Sequence, residues 1–125
     1  MKRTDERELA FKTIYSRFFN NEEVDLCESA NSERLEFTSK ILSNYTEHYE
    51  EITNIISNNL KGYTIERVYK IDLAILTLAI IELKFIKENP KQVVINEAVE
   101  LAKKFSTEKS PKFINGFLAS LVNDK

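Results

Sequence analysis

Residues 91–116, KQVVINEAVELAKKFSTEKSPKFING, read as two helices joined by a short polar turn, and this pair decides the fold. In the first helix Val94, Ile95, Ala98, Leu101, Ala102 and Phe105 share one apolar face at three-to-four spacing, leaving Lys103 and Lys104 near the opposite side. Ser110-Pro111 is a cap followed by a proline at a first helical position, where its missing N–H is not needed. Phe113, Ile114, Phe117, Leu118 and Leu121 then mark the apolar face of the second helix. Everything upstream is expected to be a helical body that holds this pair against a basic helix at the N-terminus.

Working outward, residues 73–86, LAILTLAIIELKFI, are apolar nearly all round. A helix with no polar face is surrounded by others, so this one is expected at the centre. Asp72 is its expected N-cap, and Asn89-Pro90 is expected to end it. Further upstream, Leu35, Ile41, Leu42, Tyr45, Ile52, Ile55, Ile56 and Leu60 keep helical spacing. They predict one long helix, capped by Ser32 and stopped by Asn58, Asn59 and Gly62. Thr64 opens a short turn that points Val68 inward. Residues 20–31 are polar and acidic, and read as a short helix between two loops. At the N-terminus Thr4 is the expected cap, with Asp5 and Glu6 in the first turn, where the helix dipole favours negative charge. Leu9, Ala10, Ile14, Phe18 and either Tyr15 or Phe11 fall at helical spacing, with Arg3, Arg7 and Lys12 towards the other face. No segment alternates with period two. The expected fold is all-α, with six or seven helices.

Composition agrees. The chain has 125 residues, 42% hydrophobic and 30% charged, with only two glycines and two prolines. That is an ordinary balance for one globular domain, and too few turn residues for an architecture of many tight turns. The single cysteine, Cys27, leaves no disulfide within the chain and no cysteine-rich zinc site. The charged start MKRTDERELA lacks the apolar run of a signal peptide. The longest apolar stretch falls well short of the roughly 20 residues a membrane span needs. No membrane association is expected, and a cytoplasmic location is. The net charge of −2 hides a division: residues 1–60 carry seven Lys/Arg against twelve Asp/Glu, and residues 61–125 carry eleven against eight. Because screening limits charge interactions to about 10 Å, a local basic patch can hold phosphate on an acidic chain.

Catalysis has little to stand on. His48, the one histidine, sits in YTEHYEEI near Glu47 and Glu51 but has no second imidazole for a metal site, so a solvated helix face is expected. Glu97 and Glu100 lie one turn apart on a packed helix with no nucleophile beside them. Cys27 has no neighbour to lower its pKa, and there is no glycine-rich phosphate loop. No enzymatic activity, cofactor or metal is expected. Binding is better supported, through Lys2, Arg3 and Arg7 on one helix start and Lys103, Lys104, Lys109 and Lys112 around the polar turn, though composition alone fits solvated faces. Tyr15 and Phe18 offer rings that could stack on bases, or fill the core.

The run Val94-Ile95-Asn96-Glu97-Ala98-Val99-Glu100-Leu101-Ala102-Lys103-Lys104-Phe105, then Ser110 and Lys112-Phe113-Ile114-Asn115-Gly116, resembles the NusB family of transcription antitermination and ribosomal-RNA maturation factors. Ile71-Asp72-Leu73-Ala74-Ile75-Leu76 with Glu82-Leu83 is similar to that family's central helix, and Arg7-Glu8-Leu9-Ala10 with Ile14-Tyr15 to its first. The resemblance implies two packed helical subdomains, about 1–62 and 63–125, and a non-enzymatic role. It implies binding of boxA-type single-stranded leader RNA together with NusE, a ribosomal small-subunit protein, in an antitermination complex on RNA polymerase. By position, Lys2, Arg3 and Arg7 would meet the RNA backbone with Tyr15 nearby. Lys109, Lys112 and Phe113 would lie at the contact surface, and Glu82 would touch NusE. On this reading Arg7→Ala weakens RNA binding and leaves the thermal melt nearly unchanged. Asn96, Glu97 and Asn115 read as polar residues that fix the helix pair. Ser106 stands where the family often has glycine, and Lys109 where it is often acidic, which makes this turn more basic. Two other readings fit the residues: a detached relative of the NusB-like domain that precedes some RNA cytosine methyltransferases, and a helical adaptor with no nucleic acid partner.

Overall fold

Every residue from 74 to 82 is buried in the computed structural model, which describes residues 2–19, 36–62 and 64–123. This run is the axis of the molecule. It spans α4 (Lys70–Ile80) and a π-helical continuation over Ile81–Ile86, with Ala74, Ile75, Leu76, Ile80 and Ile81 fully inaccessible. At about 1.5–3 kcal/mol per fully buried aliphatic side chain, it is the largest local source of stability. The helix ends one turn earlier than Asn89-Pro90. Lys87 takes the left-handed conformation (φ 56°) and donates its N–H to the Glu82 carbonyl, a bond five residues back that belongs to the π register. Pro90 serves instead as N-cap of the next helix.

The other helices surround this axis: α1 (Arg3–Phe19), α2 (Glu36–Glu47), α3 (Tyr49–Asn59), α5 (Lys91–Phe105) and α6 (Ser110–Asn123). Among the described residues there is no strand, and the fold is all-α. One apolar cluster takes residues from all six helices: Ala10, Phe11 and Ile14 of α1, Ile41 of α2, Ile56 of α3, Ile75 and Leu76 of α4, Val94 and Leu101 of α5, Ile114 and Leu118 of α6. Among the described residues no helix is long and apolar enough to cross a membrane.

The start of α1 differs from expectation. α1 begins before Thr4: the Glu6 N–H bonds the Lys2 carbonyl, and the Thr4 hydroxyl donates to Glu97 of α5 at 2.8 Å. Glu6 is not a solvated first-turn acid either. It is buried, and its carboxylate accepts from the backbone N–H groups of Phe37 and Thr38, at 3.1 and 3.2 Å, while the Thr38 hydroxyl donates to the Glu6 carbonyl. Glu6 therefore caps the N-terminus of α2 from another helix, satisfying donors whose burial without partners would cost about 1–3 kcal/mol.

The long helix expected before residue 60 is bent at His48 (φ −114°, ψ 22°), which separates α2 from α3. Backbone bonds cross the bend, from His48 N–H to Asn44 and from Ile52 N–H to His48. The His48 ring stacks flat on Phe85, 4.0 Å between centroids and 3° between planes. This imidazole is thus packed against the end of the central helix, and the solvated face expected for it is corrected. The Ser32 cap, Leu35, Cys27 and the short helix expected over residues 20–31 lie outside the described residues. After α3 the chain turns at Gly62, whose φ of 88° suits a residue without Cβ. A 3-10 turn over Ile65–Arg67 then delivers Val68 to the interior, as its spacing predicts.

Candidate nucleic-acid interface

The α5–α6 turn is built around a buried carboxylate. Asp72 is not the N-cap of α4, whose cap is Tyr69; it lies in the first turn and is buried. It accepts from the Ser106 hydroxyl at 2.6 Å and the Ser110 hydroxyl at 3.0 Å. Ser110 also accepts the Thr107 N–H, and its hydroxyl lies 2.8 Å from those of Ser106 and Thr107. The turn is therefore fastened to the central helix by side-chain hydroxyls, and Ser106 uses a group that a glycine there would lack. Outside this knot Lys103, Lys104, Lys109 and Lys112 are all exposed. Lys103 pairs with Glu100 one turn away; Lys109 and Lys112 make no ion pair among the described residues.

At the N-terminal cluster the expected contacts divide. Lys2 is exposed. Arg3 is exposed too, paired with Glu88 at 2.9 Å and lying 4.4 Å over the Phe37 ring. Lys40 of α2 holds the second oxygen of Glu88, and these two cations keep the Glu88 carboxyl below the usual range, Lys40 more strongly. Arg7 is different. Its side chain is 4% exposed, and it grips Glu82 through Nε at 2.7 Å and a terminal nitrogen at 2.9 Å, with Glu97 at 3.3 Å. Glu82 is 2% exposed. Two expectations fall together: Arg7 does not face solvent to meet an RNA phosphate, and Glu82 is no surface for NusE. Each is the other's buried counter-ion. Glu97 holds Thr4 and Arg7 as a fixing residue, whereas Asn96 and Asn115 are exposed.

Between the two clusters lies a seam of α1 on α5 that the sequence did not single out. Glu8 accepts from Lys104 at 2.7 Å and from Lys12 at 3.1 Å. The Lys104 bond, seconded by Lys12, holds the Glu8 carboxyl below its ordinary value. Both lysines lie over the half-buried Phe105 ring, at 5.4 and 5.3 Å, and Phe105 packs 5.3 Å from Phe11. Tyr15 is half-buried, its ring 6.3 Å from Phe11. Exposed ion pairs contribute only about 0–1 kcal/mol, so an arriving phosphate can displace Glu8 from either lysine. The seam sets the end of α5, next to the basic turn, against Glu8 and Lys12 in the middle of α1, while Thr4 at the start of α1 meets Glu97 further back along α5. The spacing of Glu8 and Lys12, i to i+4, was the one local signal for it; Phe105 read as core because it follows Leu101 by one turn. Thr77 is buried and bonds back to the Leu73 carbonyl. Among the described residues no group of His, Cys, Asp and Glu is placed to hold a metal.

The NusB family model matches residues 4–123. The transcription antitermination protein NusB of Finegoldia magna is 40% identical over the whole of this chain and 96% of its own length. That of Clostridium botulinum is 37% identical, covering 98% of this chain and all of the relative. Among solved structures, T. maritima NusB superposes with a TM-score of 0.87 at 29% identity, over 99% of this chain and 92% of that one. A structure of antitermination factors NusB and NusE in complex with dsRNA matches over the full length of both chains, with a TM-score of 0.85 at 28% identity.

Proposed function

The chain belongs to the NusB family, and on that premise we propose that it is a non-enzymatic transcription antitermination factor of the cytoplasm. It binds boxA-type single-stranded leader RNA together with NusE, within an antitermination complex on RNA polymerase during ribosomal RNA transcription. The observation that carries the RNA reading is the row of exposed lysines along the α1–α5 seam and the α5–α6 turn: Lys12, Lys104, Lys109 and Lys112, with Phe105 between the first two. Lysines at the surface attract phosphate in a salt-dependent way, and an aromatic ring at the same level can take a base by stacking. Lys2 and Arg3 add exposed cations at the start of α1, Tyr15 lies beside Phe11 further along that helix, and Phe113 follows Lys112 in α6. Arg7 serves the site from beneath, by fixing α1 on the central helix.

NusE adds its own contacts to the same RNA, so the pair binds more tightly than either protein alone. A relative has been solved with a duplex, which makes strandedness the point to test. Competition with NusE present separates the cases: unlabelled single-stranded boxA RNA is expected to displace a labelled copy at least tenfold better, on the order of 1–3 kcal/mol per stacked base, than the same sequence annealed to its complement. Equal competition by the duplex would mean that the bases are not read.

A further inference from the structure

Gly116 stands in the interior of α6, where glycine is among the least favourable residues for a helix. Its backbone does not need glycine, since Gly62 alone among the described glycines has a positive φ. Packing within the chain does not need it either: a Cβ built on Gly116 meets nothing within 4 Å. The space left clear belongs to a groove of about 300 Å³ between the end of α3 and α6. That is the lower end of the roughly 300–1,000 Å³ of small-molecule sites, and suits a single planar ring system. Phe113 and Phe117, 6.3 Å apart, provide its apolar floor. Lys61 and Lys112 stand at its sides, both exposed, and neither makes an ion pair among the described residues. Asn59 donates its Nδ2 to the Ile55 carbonyl at 2.7 Å, which leaves its amide oxygen as an acceptor, and Ser120 adds a hydroxyl.

We propose that this groove seats one unstacked nucleobase of the bound single-stranded RNA, with Lys61 and Lys112 on the flanking phosphates. The proposal rests on the RNA-binding reading above and adds a second station to it. An apolar floor, hydrogen-bonding groups at the rim and unneutralised cations at the sides match the needs of a splayed nucleotide. A peptide of a protein partner would suit the floor but leave the two lysines without a role. Lys112 and Phe113 of the groove stand in the first turn of α6, directly after the α5–α6 turn, so the groove begins next to the basic turn.

Gly116→Leu tests this, because leucine is a better helix former than glycine and its Cβ enters open space. The variant is expected to melt no lower than the parent chain while its affinity for a boxA-type oligonucleotide, with NusE present, falls on the order of tenfold. Gly116→Ala is expected to bind with an intermediate loss, and Lys61→Glu, at an exposed site, to weaken binding without touching the melt. Unchanged RNA affinity in Gly116→Leu and Lys61→Glu, with the parent chain binding normally, overturns the groove alone. Loss of NusE binding by Gly116→Leu in the absence of RNA also overturns it, in favour of a protein seat. Failure of the parent chain itself to bind the oligonucleotide sinks the function and the groove together.

Discussion

Arg7→Ala is expected to destabilise the protein by about 3–5 kcal/mol, as removal of one member of a buried ion pair does. The residue looked like a surface arginine whose loss would spare the melt. The structure reverses that, because both side chains are at least 96% buried and joined by two short bonds. Truncation leaves the Glu82 carboxylate in the interior without its counter-ion and strips Glu97 of one donor. For a chain of this size, about 4 °C per kcal/mol places the fall in thermal midpoint at roughly 12–20 °C. Circular dichroism at neutral pH measures it, and a change below ~2 °C would show that the pair does not bear on stability. Replacing both partners with apolar residues, Arg7→Met with Glu82→Leu, is expected to recover most of the loss, since no charge is then left buried. Any RNA-binding defect of Arg7→Ala must therefore be read against its stability.

Lys109→Glu with Lys112→Glu is the functional counterpart, and its expected signature is the opposite one. Both residues are exposed and neither makes an ion pair among the described residues, so stability should stay within about 0.5 kcal/mol. Reversing two charges on the RNA path is expected to lower affinity on the order of 100-fold at low salt. It should also make the dependence of log K on log salt shallower by about 1.4, at about 0.7 per phosphate contact on a single strand. Titrations of labelled RNA over a range of salt concentrations give both numbers. An unchanged salt slope would remove these two lysines from the interface. The reversal also separates them from Lys103 and Lys104, whose acidic partners Glu100 and Glu8 already share their charge.

What could be read in advance follows from the range of the interactions. The central helix was legible because residues 73–86 lack a polar face, and α5 and α6 because their apolar positions repeat every three to four residues. The bend at His48 was not, because Ile41, Tyr45 and Ile52 keep helical spacing straight through it, while the Phe85 ring that His48 stacks on lies in another helix. Charged residues were the least legible. A lone Arg or Glu is exposed by default. Only the fold reveals that Arg7 meets Glu82 75 positions away, that Glu6 caps α2, or that Asp72 gathers Ser106 and Ser110. The exposed lysines of the α5–α6 turn were visible because their charge is local. The seam that joins them to α1 was not, because Glu8 and Lys104 stand 96 residues apart.

The central claim is that this chain and NusE hold boxA-type RNA jointly, through phosphate attraction and base contacts. Its most direct test is one binding series: labelled boxA RNA titrated with the chain alone, NusE alone and the two together, each at about 50 and 200 mM salt. The account predicts tighter binding by the pair than by either protein, and weaker binding at the higher salt in every arm. No gain from mixing the proteins, or no response to salt, would contradict it.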